Sequence, residues 1–216
     1  MEAVGIKLCA MAAKNDPRQH PILRREDRFY YLDYEGFIDH RPSIAGLLID
    51  GVFRQFTFES ALQPLAADLG VEYCTWPTWV DYLAKLHDQG YLAVGYSMHE
   101  ADKTTELGPA ESWYRNAHRF LKRQVQWPEG TRPHKWDLES VAQHLGMETK
   151  AYGTKQATQR LRYVLQFAAK YGTTAKFNPT AKAKWTKLLN YNKQDVKMLH
   201  FVVQHGLQLR LRQACQ

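Results

Sequence analysis

FYYLDYEG, residues Phe29–Gly36, is the stretch whose reading decides the fold. It is a short aromatic and aliphatic run, the pattern of a strand buried on both faces, and it ends at a glycine. Asp33 and Glu35 flank Tyr34 at its exit, so in a strand their carboxylates point to one face. Two like charges at that spacing repel each other and lose hydration. A hard divalent cation such as Mg²⁺ or Mn²⁺ relieves both effects, because it prefers carboxylate oxygen. The plain alternative is a pair of solvated turn residues at a strand exit.

Downstream, PSIAGLLIDGVFRQFTFES carries Asp50-Gly51 between two β-rich runs, a strong hairpin signal. Strands near Ile44–Ile49 and Val52–Phe58 are therefore expected to pair antiparallel and to join the Tyr30–Asp33 strand. WPTWVDYLAKLHDQG sets Pro77 near a first helical turn and spaces Trp79, Tyr82, Leu83 and Leu86 for one helical face, closing at Gly90. YLAVGY, Tyr91–Tyr96, reads as another apolar strand, and the order strand, helix, strand implies a parallel crossover. The remainder predicts helices over Glu111–Gln126, Leu138–Leu145, Gln156–Tyr171 and Lys182–Leu207, so the C-terminal half is helical. Residues 13–27 mix charge with Pro17 and Pro21. They set the expected division: an irregular lead-in over 1–27 and a single α/β domain over 28–216, with no internal repeat.

The charge is unevenly spread. Of 216 residues, 29 are Lys or Arg and 22 are Asp or Glu, for a formal net charge of +7. Residues 1–110 hold 10 basic and 16 acidic side chains, net −6, whereas residues 111–216 hold 19 and 6, net +13. A polyanionic partner fits the basic half, and an acidic disordered chain is excluded. Thr149 to Gln194 contains no carboxylate side chain, which leaves Asp195 as the sole acid from Thr149 onward. Cys9, Cys74 and Cys215 are isolated thiols with no Cys-x-x-Cys pair, so neither a disulfide framework nor a zinc site is indicated, and a reducing cytoplasm fits. Lys7 interrupts any signal-peptide core, and no segment approaches the roughly 18 apolar residues of a membrane span.

Two further segments bear on chemistry. GYSMHE, Gly95–Glu100, lies where the parallel strand ends, and carboxyl ends of strands are where open α/β sheets place their sites. Ser97-x-x-Glu100 is also a capping box, and Asp102 competes with Glu100 for any metal role. In LLNYNKQDVKML, Leu188, Tyr191, Asp195 and Leu199 share one helical face, which puts Asp195 on the apolar stripe with Tyr191 one turn earlier. A carboxylate there needs a partner: a bound ion, or a structural bond from Tyr191 alone.

Taken together, Asp-x-Glu in YYLDYEG, an acid just beyond a later strand in GYSMHE, and Tyr-x-x-x-Asp in LLNYNKQDVKML resemble the DEDDy branch of the 3′–5′ exonucleases, over about Phe29 to Leu199. WDLESVAQHLG also looks like the helix that precedes the last motif in that family. The resemblance implies a ribonuclease H-like mixed β-sheet: three antiparallel-type strands, then parallel strands, flanked by helices. It implies that Asp33, Glu35, Glu100 and Asp195 hold two Mg²⁺ or Mn²⁺ ions and that Tyr191 orients the attacking water. The family's second motif normally supplies an aspartate, where this sequence offers Glu100.

Two metals roughly 3.5–4 Å apart neutralise the attacking and leaving oxygens of a phosphodiester, which explains carboxylates as the residue type. The partner expected is DNA or RNA, as single-stranded 3′ ends, with no membrane. Arg115, Arg119, Lys122 and Arg123 interleave with aromatics on the 111–126 segment, and with Lys193 they are the candidates for gripping phosphates, unless the aromatics are core and the cations merely solvated. Trp76, Trp79, Trp136 and Trp185 read as core or interface anchors. The leading expectation is a hydrolase, a metal-dependent 3′–5′ exonuclease. The alternatives are a non-catalytic nucleic-acid-binding module with a degraded metal site, and a ribonuclease H-type endonuclease.

Overall fold

β1 (Arg28–Gly36) runs inside a six-stranded mixed sheet. The structure, a computed structural model, describes residues 23–24, 27–152, 156–171 and 178–214. The lead-in expected over 1–27 lies outside the described residues except for Leu23, Arg24 and Asp27, and Cys9 and Cys215 lie outside them as well. β2 (Pro42–Ile49) and β3 (Val52–Thr57) form the expected hairpin, with Asp50 and Gly51 at φ 48° and 79°. Positive φ at both central residues is what a tight two-residue turn between twisted strands requires. β1 pairs antiparallel with β2, and Asp33 stands opposite Gly46, Glu35 opposite Ile44.

After a 3₁₀ turn, α1 (Gln63–Asp68) leads to β4 (Glu72–Tyr73), a two-residue edge strand parallel to β3. α2 (Trp76–Asp88) is the predicted amphipathic helix: Thr75 caps it by accepting from the Thr78 N–H, and Trp76, Trp79, Leu83 and Leu86 face the sheet. β5 (Tyr91–Gly95) returns parallel to β1, completing the expected crossover. Short α3 (His99–Lys103) and α4 (Ala110–Trp113) follow, then β6 (Tyr114–Asn116), parallel to β5. The sheet order is β4-β3-β2-β1-β5-β6.

The continuous helix expected over Glu111–Gln126 is not formed. β6 breaks it, and α5 covers only Ala117–Arg123, capped by the Asn116 side chain accepting from the Arg119 N–H at 2.8 Å. The reason is packing: adjacent Trp113 and Tyr114 are both buried, which the strand edge of β5 accommodates and a single helical stripe does not. Tertiary burial overrides the local helix pattern here.

α6 (Leu138–His144), α7 (Ala157–Tyr171) and α8 (Pro179–Ala214) complete the helical half. α8 begins earlier than its apolar pattern predicts, because Asn178 accepts from the Ala181 N–H at 2.8 Å and Pro179 occupies the first helical position. Its 36 residues extend about 54 Å. No helix among the described residues is long and apolar enough to cross a membrane.

Three apolar clusters follow from strand alternation. Tyr30, Leu32 and Tyr34 point to one face of β1 and pack on α2. Tyr31, Leu48 and Val94 point to the other, under α5, α6 and the C-terminal part of α8. On that second face but further along β1, Ile44 packs with α1, α7 and the Trp185–Leu188 part of α8. Asp33 and Glu35 share the alternation of Tyr31, so they occupy the seam between the second and third clusters.

Candidate metal centre

The seam gathers three carboxylates. Asp33 and Glu35 from β1 and Asp195 from α8 each present an oxygen, and these oxygens all lie within 4.8 Å of one another. Tyr34, between the two β1 acids, faces away: its hydroxyl accepts from Trp79 Nε1 at 2.7 Å and meets Thr104 Oγ1 at 3.0 Å in the α2 cluster. Alternation along the strand thus separates a structural tyrosine from the two carboxylates. Asp195 is 9 % exposed, and the Tyr191 hydroxyl donates to its carboxylate.

The electrostatics are those of crowded acids. Burial, followed by the charges of Asp195, Glu35 and Glu100, raises the Asp33 carboxyl well above the ordinary range, and a hydrogen bond from Asn192 opposes this. Burial, then the charges of Asp195 and Glu100, pushes Glu35 to about 8. Burial also lifts Asp195 to about 7, with the Tyr191 bond opposing and Glu139 adding to the rise. Burial, then the charges of Asp195, Glu35 and Asp33, raises the Tyr191 phenol. Carboxyls this close cannot all ionise cheaply without a cation among them. The donors are hard oxygens, so the chemistry of the set fits Mg²⁺ or Mn²⁺.

Glu100 stands just outside that triplet. It is 5 % exposed, and its charge acts on both Asp33 and Glu35. Its Oε2 accepts from the Tyr114 hydroxyl at 2.8 Å. Backbone N–H groups of Ser97 and Glu100 itself also favour the ionised form, although burial outweighs them and the carboxyl is raised. The expected capping box is not formed: α3 starts at His99 with Met98 at its N-cap and no capping side chain, and Ser97 Oγ accepts from the His99 N–H at 3.1 Å instead of the Glu100 N–H. A Cβ on Gly95 would lie 2.6 Å from Glu100 Oε2 and closer still to the Tyr114 hydroxyl, so only glycine leaves room for that pair. Asp102, the competing acid, is exposed on α3.

The candidate phosphate-binding residues are dispersed by the β6 interruption. Arg115 lies on β6, half-buried, with its guanidinium turned back to Glu111 O at 2.9 Å and Tyr114 O at 3.0 Å. Arg119, Lys122 and Arg123 lie on α5, which packs on the carboxylate-bearing face of the sheet. The Lys122 ammonium lies 5.8 Å from the Trp136 ring centroid and the Arg132 guanidinium 5.6 Å. Trp136 is thus a half-buried mount for two cations, while Trp76, Trp79 and Trp185 are buried as expected. Lys193 on α8 sits over Phe53 at 5.2 Å.

Several residues at the centre escape a reading of motifs. Asn192 is fully buried and donates from Nδ2 to Asp33 Oδ2 at 2.7 Å and to Asp33 O at 3.1 Å. Gln55, on β3, donates from Nε2 to Asn192 Oδ1 at 2.9 Å and to Leu189 O at 2.9 Å. The signal for Asn192 was present, since it falls on the helical stripe that runs Leu189, Asn192, Val196, Leu199. Glu139, in the first turn of α6, is a further acid within reach of Asp195. No protein-family model matches the chain, and no curated protein matches it.

Proposed function

We propose that the chain is a divalent-metal-dependent nuclease with a ribonuclease H-like fold, acting as a 3′–5′ exonuclease on single-stranded ends of DNA or RNA. The observation that carries this reading is the convergence of Asp33, Glu35 and Asp195, from opposite ends of the sequence, onto one 4.8 Å cluster with Glu100 beside it. The sheet supports it too: three antiparallel strands, β3-β2-β1, continue into parallel β5 and β6. Asp33, Glu35 and Asp195 would hold Mg²⁺ or Mn²⁺, with Glu100 completing the set. Such ions, when bound, supply charge neutralisation at the attacking and leaving oxygens and activation of a water. Tyr191 donates its one hydroxyl proton to Asp195, so it would orient a water through its phenolic oxygen as acceptor, and with its pKa raised it would not serve as a base. The cations of α5 stand on the same face of the sheet to meet the phosphate backbone.

The test is a 5′-labelled single strand incubated with Mn²⁺ or Mg²⁺. Progressive shortening from the 3′ end is expected, abolished by Asp33→Asn or Asp195→Asn. Full activity in Asp195→Asn overturns the reading, and internal cuts in a circular strand point to an endonuclease instead. One observation favours a rival, a binding module without catalysis: Glu100 is already engaged by the Tyr114 hydroxyl and lies outside the 4.8 Å triplet. That rival expects salt-sensitive binding with no metal-dependent cleavage.

A further inference from the structure

Asn192 sits where the sheet, α8 and the acidic cluster meet, and every hydrogen bond it makes has a direction. Its Nδ2 faces two oxygens of Asp33, the backbone carbonyl at 3.1 Å and carboxylate Oδ2 at 2.7 Å. Both are acceptors, so the amide must present nitrogen there; oxygen in its place would face two oxygens. The opposite end, Oδ1, accepts from Gln55 Nε2 at 2.9 Å, and Gln55 is itself oriented because the same Nε2 donates to Leu189 O at 2.9 Å. The polarity therefore runs one way, from the Gln55 amide through the Asn192 amide to one oxygen of Asp33. None of this is exposed: Asn192 is 0 % and Gln55 8 % accessible.

The backbone is shaped around this chain. Gly46 stands opposite Asp33 in the β1–β2 register, and a Cβ there would lie 2.4 Å from Asn192 Oδ1 and 2.9 Å from a Val196 methyl. The glycine lets α8 approach the sheet closely enough for Asn192 to reach Asp33. A buried amide with no task would be costly on this face, where Val196 and Leu199 continue the same stripe into the core.

We infer that Asn192 and Gln55 are positioning residues: they pin Oδ2 of Asp33 and so fix which face of that carboxylate is offered to a cation, Gln55 acting only through Asn192. This rests on the metal reading above. Groups that orient a ligating side chain from behind set affinity as well as geometry, and losing one lowers metal affinity about 10- to 100-fold. Gln55 is the sharper case, because it lies on β3, one residue removed from any carboxylate of the cluster.

The experiment is Mn²⁺ titration by calorimetry of the wild type, Asn192→Leu and Gln55→Met, below each protein's melting temperature, with folding checked by circular dichroism. Leucine keeps the branched outline of Asn192 at a somewhat larger volume and removes its amide; methionine keeps the length of Gln55 and removes its donor. Both folded variants are expected to bind Mn²⁺ about 10- to 100-fold more weakly, Gln55→Met with the smaller loss. A structural role alone would lower the melting temperature and leave the Mn²⁺ affinity of the folded protein intact, and that result overturns the inference. If Asn192→Leu does not fold, Gln55→Met decides by itself. A wild type that binds no Mn²⁺ removes the metal reading and this inference with it, whereas a wild type that binds Mn²⁺ beside variants of equal affinity removes the inference alone.

Discussion

At the scale of single residues, the crowded carboxyls cost stability, and pH exposes the cost. Glu35 near 8 and Asp195 near 7 hold protons in the folded protein that the unfolded chain, with ordinary carboxyls near 4, has already released. The unfolded state therefore binds fewer protons through this window, so stability falls as pH rises from about 4 and levels off above about 8. A bound divalent cation offsets both the burial of charge and the repulsion that cause the slope. With a chelator present, the melting temperature is expected to fall between about pH 5 and pH 8, and millimolar Mn²⁺ should restore it most at the upper end. Asp195→Asn removes one of the crowded charges, so this variant should abolish cleavage yet melt higher than wild type at about pH 8 without metal. A flat metal-free profile by differential scanning calorimetry, or no response to Mn²⁺ at pH 8, would contradict the account. The acids themselves were legible in the sequence, because strand alternation gives Asp33 and Glu35 one face and helical spacing gives Asp195 the apolar stripe. For Asn192 only its place on the helical stripe with Leu189, Val196 and Leu199 was legible and for Gln55 nothing was, because the task of a buried amide is recognised by what it bonds, and the two partners of Asn192 lie 159 and 137 residues away in sequence.

At the scale of elements, the central strands and α2 follow from local signals that the packing leaves intact. Asp50-Gly51 sets the hairpin, Thr75 and Pro77 start α2, and the run Tyr30–Leu32, buried on both faces, places β1 inside the sheet. The failure at 111–126 has the opposite cause. Trp113, Tyr114 and Arg115 read locally as helix, but β5 offers an unpaired parallel edge, and pairing Ala93 with Tyr114 and Gly95 with Asn116 satisfies that edge while burying both aromatics. The exchange has a consequence for the site, since only from β6 does the Tyr114 hydroxyl reach Glu100 over the bare Cα of Gly95. Gly95→Ala tests this junction. The added methyl would overlap the Tyr114 hydroxyl and crowd Glu100 Oε2, so a loss of about 1–3 kcal/mol is expected in urea denaturation, together with weaker Mn²⁺ binding if Glu100 contributes to the site. An unchanged midpoint would mean that β6 and α3 shift freely, and the close approach would carry no weight.

At the scale of the whole molecule, the net charge of +7 is a difference between an acidic half that carries Asp33, Glu35 and Glu100 and a basic half whose sign suits the polyanion proposed above. Asp195 joins the halves, because α8 is the basic element that crosses the face where Asp33 and Glu35 emerge. The fold also ranks the cations, which composition does not. Lys122 and Arg123 are exposed on α5, with Lys122 mounted beside the Trp136 ring, whereas the Arg115 guanidinium is committed to backbone carbonyls. Binding to a single strand should therefore weaken linearly in log affinity against log salt concentration. Each phosphate contact contributes about 0.7 to that slope. Lys122→Ala and Arg123→Ala are each expected to reduce the slope by about that amount, and Arg115→Ala by less. Fluorescence anisotropy of a labelled strand, in chelator so that no cleavage intervenes, measures all three. Equal slopes for wild type and the α5 variants would move the phosphate path away from α5, and the lysines of α7 and the N-terminal turns of α8, a stretch without a single carboxylate, would then be the next surface to substitute.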